Sequence, residues 1–388
     1  MPFALVMSLV SHEPYAEKVN ELVCLDMPNG SLFVDRVRRA WDDGDAIFPL
    51  DQRLPTVAKR SLVDQVAPTL ICSTNGETTH TGRHTEDGDA VVVATSGTTG
   101  QAKAVILTMN AVEASARATS QRLGVRDDDC WLACLPPAHV GGLSVILRSI
   151  IMGTKVIAIP AFSVEGYNEA SDAGATLVSL VATALQRVDA SRYRTIVLGG
   201  AKPPENRPLN CVTTYGLTET GSGIVYDGVP LDDVEVQIRE SVVYVRGPML
   251  MRAYRDGTTP LDSEGWLRTG DKGSLSSSGA LSIDGREGDL IITGGENVWP
   301  GVVEYSLRAH SAIQDVCVAG VVDSVWGHAV HAWVVATPGV SVSLEELRDH
   351  VKETLPAHCA PQYVHFISEI PRTALGKPQR NLLIARAK

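Results

Sequence analysis

Short apolar runs alternate with longer segments of helical periodicity in the middle of the chain. The runs at 91–95, 155–159 and 195–198 have the length of strands, and the segments 141–153 and 163–174 are typical of helices. Strands that alternate with crossover helices form parallel sheets with helices packed on their faces. The pattern therefore predicts an α/β fold built of helical layers and parallel sheets.

The pattern changes twice further along the chain. Closely spaced strands with Gly- and Ser-rich turns first predict a β-rich subdomain. Beyond Arg286, strands and helices, one of them opened by Ser343 and Glu346 as a capping box, predict a compact α+β domain of about a hundred residues. We expect a large N-terminal domain over residues 1–286 and a small C-terminal domain over residues 289–388.

The composition is that of an ordinary soluble protein. The 34 Lys and Arg residues against 45 Asp and Glu residues give a net charge of −11, which disfavours a nucleic-acid partner. No apolar run approaches membrane-spanning length, so we expect no membrane insertion and a buried strand or helix within the apolar residues 1–14. Seven scattered cysteines fit reduced thiols, which favours a cytoplasmic location.

A small, hydroxyl-rich loop lies between two of the apolar runs. Residues 95–100 are all Gly, Ser or Thr, and Lys103 follows them. Glycines let the backbone approach an oxyanion closely, so that N–H groups and hydroxyls can bind it, and phosphate is the obvious ligand. The spacing differs from that of a Walker A loop, which disfavours GTPase or kinase chemistry. Taken alone, the loop could equally be a flexible turn.

Four further motifs follow this loop in a fixed order. The five segments are TSGTTGQAK (95–103), YGLTETG (215–221), GWLRTGD (265–271), IDGREGDLIITGGENVWPGVVE (283–304) and PRTALGKPQR (371–380). Together they resemble the adenylate-forming superfamily of acyl-CoA synthetases, luciferases and peptide-synthetase adenylation domains, over roughly residues 89–380. The resemblance implies that a carboxylate attacks the α-phosphorus of ATP to give an acyl-adenylate, from which a thiol then expels AMP. Residues 1–88 carry no motif that we can interpret.

The resemblance implies roles for the nucleotide-binding residues. Thr218 would donate its hydroxyl to the α-phosphate as a catalytic residue, Glu219 would hold Mg²⁺, and Tyr215 would lie against the adenine. Asp271 would accept hydrogen bonds from both ribose hydroxyls with help from Arg286, although either could instead form a structural salt bridge between domains. The other nucleotide-binding residues on the family's pattern are Thr95, Ser96, Gly97, Thr98, Thr99, Gly100, Lys103, Gly199, Gly200 and Ala201.

The C-terminal domain, which the resemblance implies is mobile, carries the remaining motif residues. Lys377 matches the catalytic lysine that bridges the attacking carboxylate and the α-phosphate, a role suited to a compact charge on a long stem. Gly294 and Gly295 would face the pantetheine channel of coenzyme A after this domain rotates. Many relatives have Asp or Lys at the hinge, whereas this chain has Gly288, which can absorb a large backbone rotation.

Residues 135–156 suggest which carboxylic acid the chain uses. Within the superfamily, this segment and the short chain resemble bacterial o-succinylbenzoate:CoA ligases of menaquinone biosynthesis, whose substrate has an aromatic ring and two carboxylates. His139, also counted among the catalytic residues, falls where relatives place a gate at the acyl pocket. Arg148 is a candidate partner for the second carboxylate, or else an arginine that reaches the surface along its stem. Gly200 and Gly216 complete the expected acid-binding set.

The leading hypothesis is an AMP-forming acid:CoA ligase that uses ATP, Mg²⁺, coenzyme A and an aromatic carboxylic acid. The alternatives are a ligase for another aryl or short acyl acid, a domain that loads a carrier protein, and a noncatalytic acyl-adenylate-binding relative. Retention of Glu219, Asp271 and Lys377 argues against the noncatalytic alternative. The sequence leaves open whether the chain forms a homo-oligomer.

Overall fold

The structure, a computed structural model, describes residues 19–95, 103–200, 206–372 and 378–387. The element predicted within residues 1–14 lies outside these ranges. The helices, in chain order, are α1 (Ser31–Asp42), α2 (Thr56–Val66), α3 (Met109–Arg122), α4 (Val140–Met152), α5 (Val164–Asp172), α6 (Ala182–Leu185), α7 (Pro300–Arg308), α8 (Leu344–Thr354) and α9 (Arg380–Ala387). The strands are β1 (Leu22–Asp26), β2 (Ala46–Pro49), β3 (Leu70–Ser73), β4 (Gly76–Thr79), β5 (Asp89–Thr95), β6 (Lys103–Thr108), β7 (Cys130–Ala133), β8 (Lys155–Ala158), β9 (Leu177–Leu180), β10 (Thr195–Leu198), β11 (Cys211–Gly216), β12 (Gly223–Tyr226), β13 (Val229–Pro230), β14 (Glu235–Arg239), β15 (Val242–Arg246), β16 (Ala253–Tyr254), β17 (Leu267–Leu275), β18 (Leu281–Arg286), β19 (Ile291–Thr293), β20 (Glu296–Val298), β21 (Ile313–Asp323), β22 (Gly327–Ala336) and β23 (Tyr363–Phe366).

Two sheets, each of seven strands within the described residues, form the larger part of the molecule. The first sheet has the order β16-β6-β5-β2-β1-β3-β4, with a parallel centre from β5 to β3 and antiparallel edges. The second sheet has the order β13-β12-β11-β10-β9-β7-β8 and is parallel from β11 to β8. The largest buried cluster joins side chains of both sheets with those of α1, α3 and α4. The predicted α/β layering is confirmed.

Helix α4 is buried because it is apolar around most of its circumference. All residues from 142 to 149 are buried, as expected for a helix that packs on several sides at once. The helix ends at Gly153, whose φ of 68° is the left-handed conformation that commonly stops a helix. It begins after His139, which occupies the N-cap position. This placement fixes His139 at one end of the helix and Arg148 in its interior.

Two smaller sheets follow. The third, β14-β15-β17-β18, is antiparallel and corresponds to the predicted β-rich subdomain. The fourth, β20-β19-β22-β21 with β23 paired to β22, packs with α7 and α8 around its own buried cluster. As predicted, Ser343 and Glu346 form a capping box at α8, with Glu346 accepting a 2.7 Å bond from the Ser343 N–H. The domain boundary between residues 286 and 289 stays a prediction. The separate buried cluster of the fourth sheet supports it.

All seven cysteines are free and buried, in keeping with the expected reduced thiols. Burial raises the pKa of the Cys134 thiol to about 12. Among the helices of the described residues, none combines the length and the apolar character that crossing a bilayer requires. The cytoplasmic location and the homo-oligomer stay predictions.

Four rings on the fourth sheet form a cluster with an acid-sensitive member. His331 and Trp333 of β22 lie beside Tyr363 and His365 of β23, and Nδ1 of His331 is 2.8 Å from Nε2 of His365. Burial, reinforced by the neighbouring His365, lowers the pKa of His331 to about 4. The folded chain therefore keeps His331 neutral at pH values where the imidazole of the unfolded chain binds a proton.

We expect the chain to lose stability as the pH falls from 7 to 5, because proton uptake over this range favours the unfolded state. Below an unfolded pKa near 6.5, His331 should account for about 1–2 kcal/mol of that loss at pH 5. His331→Phe keeps a ring in the stack but cannot titrate, so thermal unfolding at pH 5, 6 and 7 should show a shallower pH dependence. His328→Phe, at an exposed position of the same strand, is the control. An unchanged slope in His331→Phe would contradict the assignment.

Candidate active site

A pocket of about 280 Å³ opens between the first and third sheets and the segment after β11. It gathers residues from four of the five motifs, which are far apart in the sequence. Its lining includes Thr95, Lys103, Glu219, Thr269 and Arg286, together with Tyr254, which belongs to no motif. The motif residues described here therefore converge on one site.

Strands β5 and β6 form the hairpin that carries the hydroxyl-rich loop. Thr95 and Lys103 are register partners at its end, and the Thr95 hydroxyl donates to the Lys103 carbonyl at 3.2 Å. Both residues line the pocket, so the ends of the loop open on it. The loop residues Ser96, Gly97, Thr98, Thr99 and Gly100 lie outside the described residues, and their role in phosphate binding stays a prediction.

Glu219 lies in the short 3₁₀ turn Thr218–Thr220 that follows β11. Its Oε1 accepts a 3.0 Å hydrogen bond from the Tyr254 hydroxyl, and burial and the nearby carboxylate both raise the pKa of Tyr254. The Lys103 ammonium lies 4.6 Å from the centroid of the Tyr254 ring. Tyr254 is a candidate functional residue that the sequence did not reveal, because no motif flanks it. It holds the carboxylate that is predicted to bind Mg²⁺.

No group of three or more metal-ligating side chains occurs in the described part of the chain. Mg²⁺ commonly keeps several waters and is bound through one or two carboxylates and the phosphates of a substrate. Glu219, with one oxygen fixed by Tyr254, fits such a site. A magnesium ion would then take its other ligands from ATP and water.

Asp271 and Arg286 face each other across β17 and β18 of the third sheet. Arg286 Nε donates to Asp271 Oδ1 at 3.0 Å, and the Tyr215 hydroxyl donates to Oδ2 at 2.7 Å. Burial and the negative charge of Asp271 both raise the pKa of Tyr215. This salt bridge lies within the third sheet, and the roles of the two residues toward the ribose stay predictions. Asp271 is 7% exposed, and its carboxylate lies beside Arg286, which lines the pocket.

Glycines shape the chain beside this site. At Gly216, a Cβ would lie 2.1 Å from the Ser222 carbonyl oxygen, so only glycine fits where β11 meets β12. Gly199 follows β10, and Gly200 has a φ of 86°, a conformation that favours glycine. Ala201 lies outside the described residues. The roles of these positions toward adenine and acid stay predictions.

Arg148 is buried, which shows that the alternative of a surface arginine is wrong. The residue is 3% exposed, and Nη2 donates to the hydroxyls of Ser144 and Ser222, both at 3.1 Å. The guanidinium lies 5.0 Å from the Trp131 ring, and burial lowers its pKa. Nε and Nη1 have no hydrogen-bond partner among the described residues. The Tyr226 hydroxyl also favours the charged form of Arg148, but no carboxylate among the described residues pairs with this guanidinium.

A small cavity adjoins Arg148. Its walls include Leu107, Ser144, Leu147 and Gly221, and its volume is about 10 Å³. Gly221 follows the turn that holds Glu219, whose side chain lines the larger pocket. The segment 217–221 therefore lies between the two spaces. An acid in the inner space would approach a nucleotide in the outer pocket across this segment.

His139, at the start of α4, is partly exposed, and its Nε2 lies 2.7 Å from Nη2 of Arg53. In the C-terminal part, Gly294 and Gly295 both have positive φ at the β19–β20 turn. Gly288 lies in a short 3₁₀ turn where an added side chain would meet open space. Lys377 lies outside the described residues. The functions of these residues stay predictions.

The fold and the site are those of adenylate-forming enzymes. They combine two layered sheets, an antiparallel third sheet and a pocket lined by the ordered motifs. The family "AMP-binding enzyme" matches residues 47–255, and "AMP-binding enzyme C-terminal domain" matches residues 302–377. The chain belongs to the AMP-binding enzyme family. The predicted superfamily, and the prediction that the chain is an enzyme, are thereby confirmed.

The names of similar proteins agree with the resemblance to o-succinylbenzoate:CoA ligases within the superfamily. A 2-succinylbenzoate–CoA ligase of Bacillus cereus (strain Q1) is 35% identical over 333 aligned positions, which cover 75% of this chain and 69% of that protein. The o-succinylbenzoate CoA synthetase of Bacillus subtilis, solved with the acyl-adenylate intermediate, is 27% identical with a TM-score of 0.85 and covers 94% of this chain and 88% of that chain. The same enzyme with ATP and magnesium has a TM-score of 0.83 at 27% identity and covers 95% and 90%.

Proposed function

We propose that the chain ligates o-succinylbenzoate to coenzyme A at the expense of ATP, through an acyl-adenylate and with release of pyrophosphate and AMP. The observation that carries this proposal is the pair of spaces on either side of the segment 217–221. The outer pocket has one carboxylate, Glu219, and the cations Lys103 and Arg286, which are groups expected for a metal and a nucleotide. The inner cavity ends on Arg148, a buried cation with two unused donors. The names of the relatives above support the choice of acid.

The inner cavity suits an aromatic acid with a second carboxylate. Leu107 and Leu147 offer apolar contacts for a ring, and the unpaired Nε and Nη1 of Arg148 offer donors for an anion. In its present form the cavity has room for about one water molecule. The proposal therefore includes an opening of this cavity when the acid binds.

The outer pocket suits ATP and magnesium. Asp271 has its oxygens fixed by Tyr215 and Arg286 and would accept hydrogen bonds from the ribose hydroxyls. Glu219 would hold magnesium, which neutralises phosphate charge when bound. Tyr215 would lie against the adenine next to Gly200. These groups would leave the α-phosphate beside Thr218.

The reaction then needs donors where negative charge develops. In the first step, an oxygen of the acid attacks the α-phosphorus as the bond to pyrophosphate breaks. The Thr218 hydroxyl and the Lys377 ammonium would donate to the oxygens that gain charge. In the second step, the sulfur of coenzyme A attacks the acyl carbon and AMP leaves. The turn at Gly294 and Gly295 would give the pantetheine arm room to approach.

A substrate panel tests the proposal. With ATP, Mg²⁺ and coenzyme A, release of AMP and pyrophosphate should be far faster with o-succinylbenzoate than with benzoate or succinate, because each of these lacks a feature that the site must satisfy. A preference for a simple monocarboxylate would overturn the choice of acid and leave a broader acid:CoA ligase. Release with none of the acids would favour the noncatalytic alternative.

Glu219→Gln should shift the magnesium dependence of the reaction. A neutral amide oxygen is a poorer ligand for a hard cation, so half-maximal activity should need on the order of 10-fold more Mg²⁺. Tyr254→Phe should produce a smaller shift in the same direction, because it only frees the carboxylate. Rates over a magnesium series and Mn²⁺ binding followed by electron paramagnetic resonance measure both effects. Glu165→Gln, in α5, is the control, and wild-type Mn²⁺ affinity in Glu219→Gln would remove Glu219 from the metal site.

A further inference from the structure

An ion pair between a buried carboxylate, Asp51, and an exposed guanidinium, Arg53, lies next to His139. The Asp51 side chain is 8% exposed and follows β2. Arg53 donates to both of its oxygens, from Nε to Oδ1 at 2.9 Å and from Nη2 to Oδ2 at 2.8 Å. Nη2 of Arg53 also lies 2.7 Å from Nε2 of His139. The distance from His139 Nε2 to Asp51 Oδ2 is longer, at 3.4 Å. The shorter contact makes Arg53 the principal hydrogen-bond partner of His139.

Hydrogen bonds also fix the loop that carries Asp51 and Arg53. Gln52 Nε2 donates to Asp26 Oδ1 at 2.9 Å, and Lys59 Nζ donates to the same oxygen at 2.8 Å. Asn29 donates to the Ala133 carbonyl at the end of β7. The contacts to Asp26 join the carboxyl end of β1 with the segment after β2, and the contact of Asn29 joins the segment after β1 with the end of β7. Ligands of open α/β sheets bind at the carboxyl ends of parallel strands.

The charges of Asp51 and Arg53 influence which nitrogen of the His139 imidazole carries the proton. Burial would raise the pKa of Asp51, but its polar contacts with His139 and Arg53 hold that pKa well below its usual range. Arg53 therefore faces a carboxylate that stays ionised at neutral pH. A hydrogen bond from Arg53, which has only donors, requires His139 Nε2 to accept and leaves the proton of a neutral ring on Nδ1, whereas a ring protonated on Nε2 would donate to Asp51 instead.

We propose that Asp51 and Arg53 form a clamp that positions His139 and fixes its tautomer, and that this clamp sets the affinity for the acid. Both are positioning residues, because they act through His139. The second half of the inference rests on the proposed function, which places His139 at the acid site. The clamp comes from residues 1–88, the part of the chain without a motif.

The clamp predicts a selective kinetic effect. Without Arg53, the ring of His139 can adopt other rotamers and can carry its proton on Nε2, so the acid would meet a site that is less well organised. The KM for the acid should rise about 10-fold in Arg53→Gln. The KM for ATP should stay within about 2-fold, because the pocket residues that face the nucleotide are untouched. Arg53→Lys keeps the charge but not the two-pronged geometry, and it should recover part of the loss.

Long-range ¹H–¹⁵N NMR of the histidine rings tests the clamp without any substrate. His139→Gln assigns the signals, and Arg60→Gln, at an exposed position of α2, is the control. We expect an unprotonated Nε2 and a protonated Nδ1 in the wild type and in the control, and a gain of the other tautomer in Arg53→Gln. Kinetics with the best acid of the substrate panel run in parallel on the same proteins.

The outcomes separate the two proposals. An unchanged His139 tautomer in Arg53→Gln would overturn the clamp. A changed tautomer with an unchanged KM for the acid would overturn its effect on affinity. A changed tautomer in a chain that prefers another acid would leave the clamp intact and reject o-succinylbenzoate as the substrate.

Discussion

Lys377→Ala should slow acyl-adenylate formation on the order of 10²-fold or more, while thioester formation from supplied acyl-adenylate changes much less. The ammonium is needed where the α-phosphate and the attacking carboxylate, both negative, come together. The second step expels AMP and has no such encounter of two anions. Pyrophosphate release measures the first step, and coenzyme A thioester formed from synthetic acyl-adenylate measures the second.

Lys352→Ala provides a matched control for that variant. Lys352 lies on α8, pairs with Asp349 at 2.9 Å and is exposed, so its loss should leave both steps unchanged. Equal slowing of both steps by Lys377→Ala would contradict the assigned role and would point instead to a general effect on the C-terminal domain.

Local patterns predict much of this fold because they depend on neighbouring residues. The apolar runs became β5, β8 and β10, and the segments of helical periodicity became α4 and α5. The capping box at Ser343 needs only residues within one turn. The sequence could not show that β5 pairs parallel with β2, because this pairing joins residues that are far apart in the chain.

The structure brings residues of several ordered motifs together, while their roles stay predictions. Lys103, Glu219 and Arg286 line one pocket although they lie in three different motifs. Tyr254 escaped detection because its hydrogen bond to Glu219 crosses 35 residues and no local pattern marks it. The contact of Arg53 with His139 crosses 86 residues. Such side-chain contacts exist only once the sheets have assembled.

Arg148 shows how burial decides between two interpretations of one residue. An arginine on a helix can extend its stem to water, so the sequence left both a surface role and a pocket role open. Helix α4 is covered along residues 142–149, and Arg148 is only 3% exposed. A buried charge without a full set of partners is costly, and a chain that retains one gains if a ligand supplies the anion.

Arg148→Met should therefore remove most of the discrimination between o-succinylbenzoate and an analogue without its second carboxylate. Methionine is apolar and of similar length, so it should fill the space without leaving a charge unpaired. The wild type should prefer o-succinylbenzoate on the order of 10²-fold or more in kcat/KM, because an analogue leaves the arginine's donors unpaired. In Arg148→Met the ratio should fall to about 10-fold or less.

Two analogues make this measurement specific, since benzoylpropionate lacks the ring carboxylate and o-butanoylbenzoate lacks the chain carboxylate. The analogue that is still converted identifies the adenylated carboxylate, and its kcat/KM relative to o-succinylbenzoate is the ratio to follow in each variant. Arg117→Met, at an exposed position on α3, should keep the wild-type ratio. Thermal unfolding should show Arg148→Met at least as stable as the wild type, because the buried charge is gone. A wild-type ratio in a folded Arg148→Met protein would remove Arg148 from the acid site.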